Sequence, residues 1–133
     1  MTLSTPLVAG TVLEPLHLPP ISRTTLALFA GASGDDNPIH IDLDAARTAG
    51  LDDVFAHGML SMAYLGRLLT GWAPQERIRS FDVRFVAITP LHARPTCRGT
   101  VRAVEDGIAA IDLDVRLADG TTTLTGTARV VAS

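Results

Sequence analysis

The chain has 133 residues, of which 47% are hydrophobic and 19% charged, and this composition predicts a folded domain rather than a disordered segment. The formal net charge of −3 argues against a general affinity for nucleic acid or for anionic membranes. All 11 basic residues are arginine, so a lysine nucleophile or a lysine Schiff base is excluded.

Cysteine usage and targeting signals indicate where the protein works. Cys97 is the only cysteine and cannot form an intrachain disulfide, which is typical of a reducing compartment. Residues 1–10 contain no basic side chain and no long apolar run, so we expect no signal peptide. No uncharged stretch approaches the ~18 apolar residues of a membrane helix. We therefore expect a cytoplasmic protein.

The chain begins with a predicted strand and a short helix. Residues 10–18 are expected to form the strand, which Pro19-Pro20 would end. Ser22 is well suited to cap a helix over 24–32, whose C-terminal end is bracketed by Gly31 and Gly34.

Two more helices are predicted before the chain becomes strand-like. Asp42 or Asp44 can cap a short helix at 45–49, which Gly50 would stop. A longer helix is expected from His57-Gly58-Met59 to Leu69. This helix is apolar on nearly every side, which is typical of a buried helix.

After Pro74 the apolar residues alternate with polar ones, which predicts four strands, at 80–88, 96–104, 108–117 and 121–131. The third has the clearest alternation, with Ile111, Leu113, Val115 and Leu117 expected to share the buried face. An antiparallel β-sheet wrapped around the long central α-helix satisfies this order, and the fold class is therefore α+β in two layers.

The segment 33–40 reads Ser-Gly-Asp-Asp-Asn-Pro-Ile-His and is the strongest functional signal in the chain. It places Asp35 and His40 five positions apart on a segment that Pro38 stiffens and prevents from continuing a helix. A carboxylate and an imidazole on such a bend can converge on one small molecule, such as a water. This pairing suits general acid–base catalysis, since imidazole titrates near neutral pH.

Together with Ala56-His57-Gly58-Met59, this segment resembles the signature of MaoC-like hotdog-fold hydratases and dehydratases. That family includes (R)-specific enoyl-CoA hydratases and (3R)-hydroxyacyl-ACP dehydratases of fatty-acid and polyketide metabolism. The resemblance implies that residues 1–133 form a single MaoC-like hotdog domain. It also implies a hydro-lyase that reversibly hydrates a 2-enoyl-CoA or 2-enoyl-ACP to the (3R)-3-hydroxyacyl thioester. No cofactor is expected.

The resemblance also assigns roles to individual residues. In the family, the residues that match Asp35 and His40 hold the water and transfer the protons, and which of them handles which proton stays open. Asn37 matches a supporting position between them. Gly58 matches the family's oxyanion position, and its place at a predicted helix N-terminus independently suits its N–H to bind an enolate oxygen.

Further residues are expected around this site or away from it. Ser61 lies one turn along the helix and is a candidate to line the substrate site, while His57 and Ser33 are supporting candidates. His17 and His92 have no motif around them and are expected at the surface. Cys97 is expected to be a buried thiol.

Competing site types fit the sequence less well. A calcium loop starting at Asp35 would need Gly at its sixth position and Glu at its twelfth, where this chain has His40 and Ala46. A zinc site from His40, Asp42 and His57 lacks the usual ligand spacing. Thioesterases with the hotdog fold would not need this spacing of Asp and His.

The partners of the chain are open in two respects. The family forms side-by-side dimers, so a homodimer, or a heterodimer with another hotdog subunit, is expected. The main alternative to an enzyme is an accessory, non-catalytic subunit that binds an acyl thioester, and the intact Asp35 and His40 weigh against it.

The acyl-chain preference stays open. Where relatives commonly carry a Pro-Gly-Asp turn, this chain has Leu91-His92-Ala93, and a specialised biosynthetic substrate is one alternative.

Overall fold

The structure is a computed structural model that describes residues 6–133. The expectation that residues 1–10 are not a signal peptide falls partly on residues 1–5, which lie outside the described residues. The elements are β1 (Leu16–His17), α1 (Arg23–Ser33), α2 (Leu43–Thr48), α3 (Gly58–Trp72), β2 (Ile78–Phe85), β3 (Thr96–Glu105), β4 (Ile108–Arg116) and β5 (Thr122–Val131), with 3-10 turns at Pro38–His40 and Gln75–Arg77. None of the helices described is long and apolar enough to cross a membrane.

Within residues 6–133, five strands form one antiparallel sheet in the order β1-β3-β4-β5-β2. Helix α3 packs on one face of this sheet. Its Leu65, Leu68 and Leu69 are buried in the main core together with Val101 and Ile111 of the strands. The predicted α+β arrangement, a sheet around a long helix, is therefore confirmed.

Capping residues fix the first two helices close to their predicted positions. The Ser22 hydroxyl accepts a hydrogen bond from the Thr25 N–H, and Gly34 ends α1 in the left-handed conformation at φ 80°. Asp42 rather than Asp44 caps α2, accepting from the N–H groups of Asp44 and Ala45. Short polar side chains at these positions satisfy amides that have no partner within the helix.

The alternation predicted for the third of the four strands is confirmed in β4. Ile111, Leu113 and Val115 are buried. On the other face of the sheet, Asp112 and Asp114 form ion pairs with arginines of β3. The prediction for Cys97 is also confirmed, because the residue is fully buried and its burial raises the pKa of the thiol to about 12.

The strand predicted over 10–18 is wrong except at its end. Only Leu16–His17 forms a strand with β3, while Val12 makes an isolated bridge to Thr100. Pro15 interrupts the segment, because proline has no N–H to donate to a ladder. The segment nevertheless runs along β3, and Leu13 is buried in the core.

The expectation that the long helix is buried on nearly every side is also wrong for the chain as described. Leu60 and Ser61 face the interior, but Met59 is 53% exposed, and Ala63 and Arg67 are exposed as well. The sheet covers one side of α3, and a second core cluster that includes Leu26 and Ala46 packs against Leu60. The side that carries Met59 and Ala63 is exposed.

In the turn Leu91-His92-Ala93, His92 adopts a left-handed backbone conformation that normally favours glycine. His92 has φ 69°, and its N–H donates to the Ile21 carbonyl at 2.8 Å. Its side chain is exposed, as predicted, and so is that of His17. A left-handed conformation costs a residue with a β-carbon about 1–2 kcal/mol.

We therefore expect His92→Gly to raise the melting temperature by a few degrees. Relief of the strained conformation outweighs the extra chain entropy of glycine in the unfolded state, which costs roughly 0.4–1 kcal/mol. Thermal unfolding measures the effect. His17→Gly is the matched control, since His17 is exposed but lies in a strand at negative φ, and it should lower the melting temperature. A melting temperature of His92→Gly that is equal to or below that of the wild type would contradict the expectation.

Candidate active site

The loop from Ser33 to Ile39 is held by its own short polar side chains. The Ser33 hydroxyl accepts from the Asp35 N–H at 3.1 Å, and Asp35 Oδ1 accepts from the Asn37 N–H at 3.3 Å. Asn37 Oδ1 in turn accepts from the Ile39 N–H at 3.2 Å. Each bond spans two residues, a geometry that Asp, Asn and Ser favour in turns. Ser33 and Asn37 therefore shape the loop that carries Asp35.

His40 is 7% exposed and has a fixed ring orientation. Its Nδ1 lies 2.7 Å from the backbone oxygen of Phe55, and the ring of Phe55 packs edge-on against it. Since a carbonyl oxygen can only accept, the Nδ1 carries a proton in this bond. In the neutral ring, Nε2 is then the basic nitrogen.

His57 ties the loop to helix α3. Its Nε2–H donates to the backbone oxygen of Asp35 at 2.9 Å, and its ring stacks on that of His40 with centroids 4.0 Å apart. The Phe29 ring packs against the His57 ring in a T-shaped arrangement. The His57 Nδ1 is buried and has no hydrogen-bonding partner within the described residues. His57 therefore holds both members of the predicted pair in place, Asp35 through its backbone and His40 through its ring.

Asp35, His40 and His57 each present one carboxylate oxygen or ring nitrogen, and these three atoms lie within 4.8 Å of one another. Such a group resembles a metal-ligand set. However, ligands of one ion must direct their lone pairs at a common point, whereas stacked imidazoles direct theirs side by side. Asp42, the third member of the zinc set weighed above, is instead engaged in capping α2.

A cavity of about 560 Å³ opens beside this cluster. Asp35, His40 and Gly58 all line it, so three predicted site residues are brought together. The rest of the wall is mostly apolar, and it includes Ile39, Phe55, Met59, Phe85, Val86 and Ile88. Asn37 and Ser61 are not among the lining residues, and Ser61 lies on the buried face of α3.

Gly58 is the first residue of α3, and no side chain in the described part of the chain caps this end of the helix. The first N–H groups of a helix have no acceptor within it, and they carry the positive end of the helix dipole. They are therefore available to a negatively polarised oxygen in the cavity. Side-chain space at Gly58 is already filled, since a β-carbon there would lie 2.8 Å from Phe85 Cδ1.

Sequence reasoning missed Phe85 as a site residue. Phe85 is the last residue of β2, far from Gly58 in the chain, and the two lie side by side only in the folded structure. Its exposed fraction is 53%, and Val86 and Ile88 beside it are similarly exposed. An aromatic residue at the end of an alternating strand was the available signal, but it does not reveal the contact.

Comparison with known proteins supports the resemblance in sequence. A family model described as "MaoC like domain" matches residues 8–127. The (R)-specific enoyl-CoA hydratase of Rhodospirillum rubrum is 43% identical over 49 residues, which are 37% of this chain and 34% of that protein. Matches to the curated relatives cover from 5% to 49% of the relatives' own lengths, so the chain spans at most about half of each.

Solved structures show the same fold. A chain of the ChsH1–ChsH2 complex from Mycobacterium tuberculosis superposes with a TM-score of 0.84 at 28% identity, covering 95% of this chain and 98% of that one. The unliganded (R)-hydratase PhaJ1 of Pseudomonas aeruginosa gives a TM-score of 0.85 at 26% identity, covering 95% and 82%. The predicted hotdog fold is confirmed.

Proposed function

Since the chain belongs to the MaoC-like domain family, we propose that it is a hydro-lyase that reversibly hydrates a 2-enoyl thioester to the (3R)-3-hydroxyacyl thioester. The acyl group would be delivered on coenzyme A or on a carrier protein. The observation that carries the proposal is the placement of Asp35, His40 and the N-terminal residue of α3, Gly58, around one apolar cavity.

The proposed chemistry begins with a water held by Asp35 and His40. One ligand atom of each side chain lies within 4.8 Å of that of the other, a separation that a single water hydrogen-bonded to both at about 2.8 Å can span. The water oxygen bonds to C3 of the enoyl group as its proton passes to one of the two side chains. A proton is delivered to C2, so that water is added across the double bond and no other reactant is needed.

The second requirement is a site for the negative charge that develops on the thioester oxygen. Gly58 offers a backbone N–H at the positive end of α3 and no side chain of its own. A preorganised donor of this kind is typically worth about 3–4 kcal/mol in the transition state. Packing of the acyl chain on the apolar wall would displace water from that wall and strengthen this interaction.

Ser33, Asn37 and His57 would act by holding the reacting pair. The first two support the Asp35 loop, and His57 bonds to the Asp35 backbone and stacks on His40. Because these residues stabilise the geometry, we assign them positioning roles and reserve the proton transfers for Asp35 and His40.

A second candidate function is an accessory subunit that binds an acyl thioester and stabilises an active partner. It is favoured by the likeness to a chain from a complex of two different proteins. The polar pair at the cavity weighs against a purely accessory role, because a binding pocket for an apolar acyl chain does not need a carboxylate and a buried imidazole.

The assay that tests the proposal compares crotonyl-CoA with a crotonyl-loaded carrier protein, using purified protein and following loss of the enoyl group. We expect hydration of at least one of them. Activity with both identifies a tolerant hydratase, and activity with one identifies its donor. Binding of both without turnover would support the accessory subunit instead.

We also expect the purified chain to sediment as a dimer or a larger even assembly. Met59, Phe85, Val86 and Ile88 are each more than half exposed around the cavity, and covering them would be favourable. β2 is an edge strand of the sheet and lies next to this surface. Analytical ultracentrifugation measures the state, and a monomer that turns over substrate would contradict the expectation.

A further inference from the structure

Phe85 and Gly58 are in steric contact at the proposed active site. A β-carbon on Gly58 would lie 2.8 Å from Phe85 Cδ1 and 2.9 Å from Cε1, closer than non-bonded carbon atoms approach in proteins. Both residues line the cavity that also contains Asp35 and His40. The aromatic ring therefore fills the space that a side chain at Gly58 would occupy.

The contact places the Phe85 ring at the N-terminal end of α3. In an α-helix each Cα–Cβ bond tilts toward the N-terminus, and the unpaired N–H groups of the first turn point out at the same end. A ring that occupies the β-carbon position of the first helical residue is therefore beside those N–H groups. Phe85 flanks the place where a thioester oxygen would bind.

This inference rests on the proposed function. A thioester oxygen on the Gly58 N–H places the carbonyl carbon, and C2 attached to it, within a few ångströms of the ring. C2 must at the same time face Asp35 or His40 to receive a proton. We infer that Phe85 is a specificity-determining residue that admits 2-enoyl thioesters with hydrogen at C2 and rejects those with a methyl branch at that carbon.

Other apolar residues of the wall do not share this position. Val86 and Ile88 line the same cavity and are as exposed as Phe85. However, the three atoms closest to the β-carbon position of Gly58 all belong to Phe85. Enlarging the cavity at Ile88 should therefore act on the acyl chain without changing selection at C2.

The test measures kcat/KM for crotonyl-CoA and for 2-methylcrotonyl-CoA in the wild type, Phe85→Ala and Ile88→Ala. A methyl branch lowers the intrinsic reactivity of the alkene, so the informative quantity is the change in the ratio of the two values between proteins. We expect Phe85→Ala to shift this ratio toward the branched substrate by about 10–200-fold, the usual range for one methyl group in an apolar pocket. Ile88→Ala should leave the ratio close to that of the wild type.

Each outcome decides the inference. Turnover of crotonyl-CoA with an unchanged ratio in Phe85→Ala overturns it while the proposed function stands. A shift of equal size in Ile88→Ala also overturns it, because the effect would then be a general enlargement. If the folded wild type hydrates neither these substrates nor their carrier-bound forms, the proposed function fails and the inference with it. Phe85→Leu supplies the same comparison if Phe85→Ala does not fold.

Discussion

Asp35→Asn and His40→Ala should each reduce enoyl-thioester hydration by ~10²–10⁴-fold, the usual effect of removing a general acid or base. The asparagine variant keeps an oxygen that can accept the Asn37 N–H, so the loop is expected to retain its shape. The alanine variant removes the Nδ1–H bond to the Phe55 carbonyl together with the basic Nε2. Steady-state turnover and thermal unfolding, measured on the same samples, separate lost chemistry from lost folding.

The chain offers a matched control for each substitution. Asp36 is adjacent to Asp35, exposed and absent from the cavity wall, so Asp36→Asn should leave turnover unchanged. His17 is an exposed histidine paired with Thr96 in the sheet, so His17→Ala should also retain activity. Near-wild-type activity in a folded Asp35→Asn or His40→Ala variant would exclude the proposed pair.

Gly58→Ala should lower turnover by ~10²–10³-fold, the usual loss for one oxyanion donor. The amide survives this substitution, but the new β-carbon and the displaced Phe85 ring would keep the thioester oxygen from reaching it. Folding should suffer much less, because the colliding atoms belong to a half-exposed side chain rather than to backbone. Turnover and melting temperature on one sample measure both effects.

Two further variants make this result specific. Gly66 lies in the same helix, and the nearest atom to its β-carbon position is 3.8 Å away, so Gly66→Ala should be tolerated. Ser61→Ala should be mild, since Ser61 is not part of the cavity wall. A lower melting temperature with unchanged activity per folded molecule would show that Gly58 is only a packing residue.

The elements that were predicted well are those whose ends are set by local chemistry. Ser22, Gly34 and Asp42 make their capping contacts with residues close in sequence, so the pattern alone locates α1 and α2. The alternation of β4 likewise depends on one strand having a buried and an exposed face. The segment around Asp35 was recognisable because its turns are formed by its own side chains.

The features that were missed depend on contacts between distant segments. Whether residues 10–15 pair with β3 depends on the position of Pro15 beside that strand. The exposure of one side of α3 depends on how far the sheet extends around the helix. The bond from His57 to the Asp35 backbone and the contact of Phe85 with Gly58 join residues far apart in the chain. Composition and periodicity carry no information on such contacts.

The measurement that most directly tests the account is incubation of the wild-type protein with crotonyl-CoA in ¹⁸O-labelled water, followed by mass spectrometry and chiral analysis of the product. Hydration predicts an intact thioester with one label on C3 and the R configuration at that carbon. Release of labelled crotonate and free coenzyme A would identify a thioesterase and contradict the proposed reaction. Product of the S configuration would contradict the proposed stereochemistry of water addition, and recovery of unlabelled crotonyl-CoA would contradict the proposed hydration of this substrate.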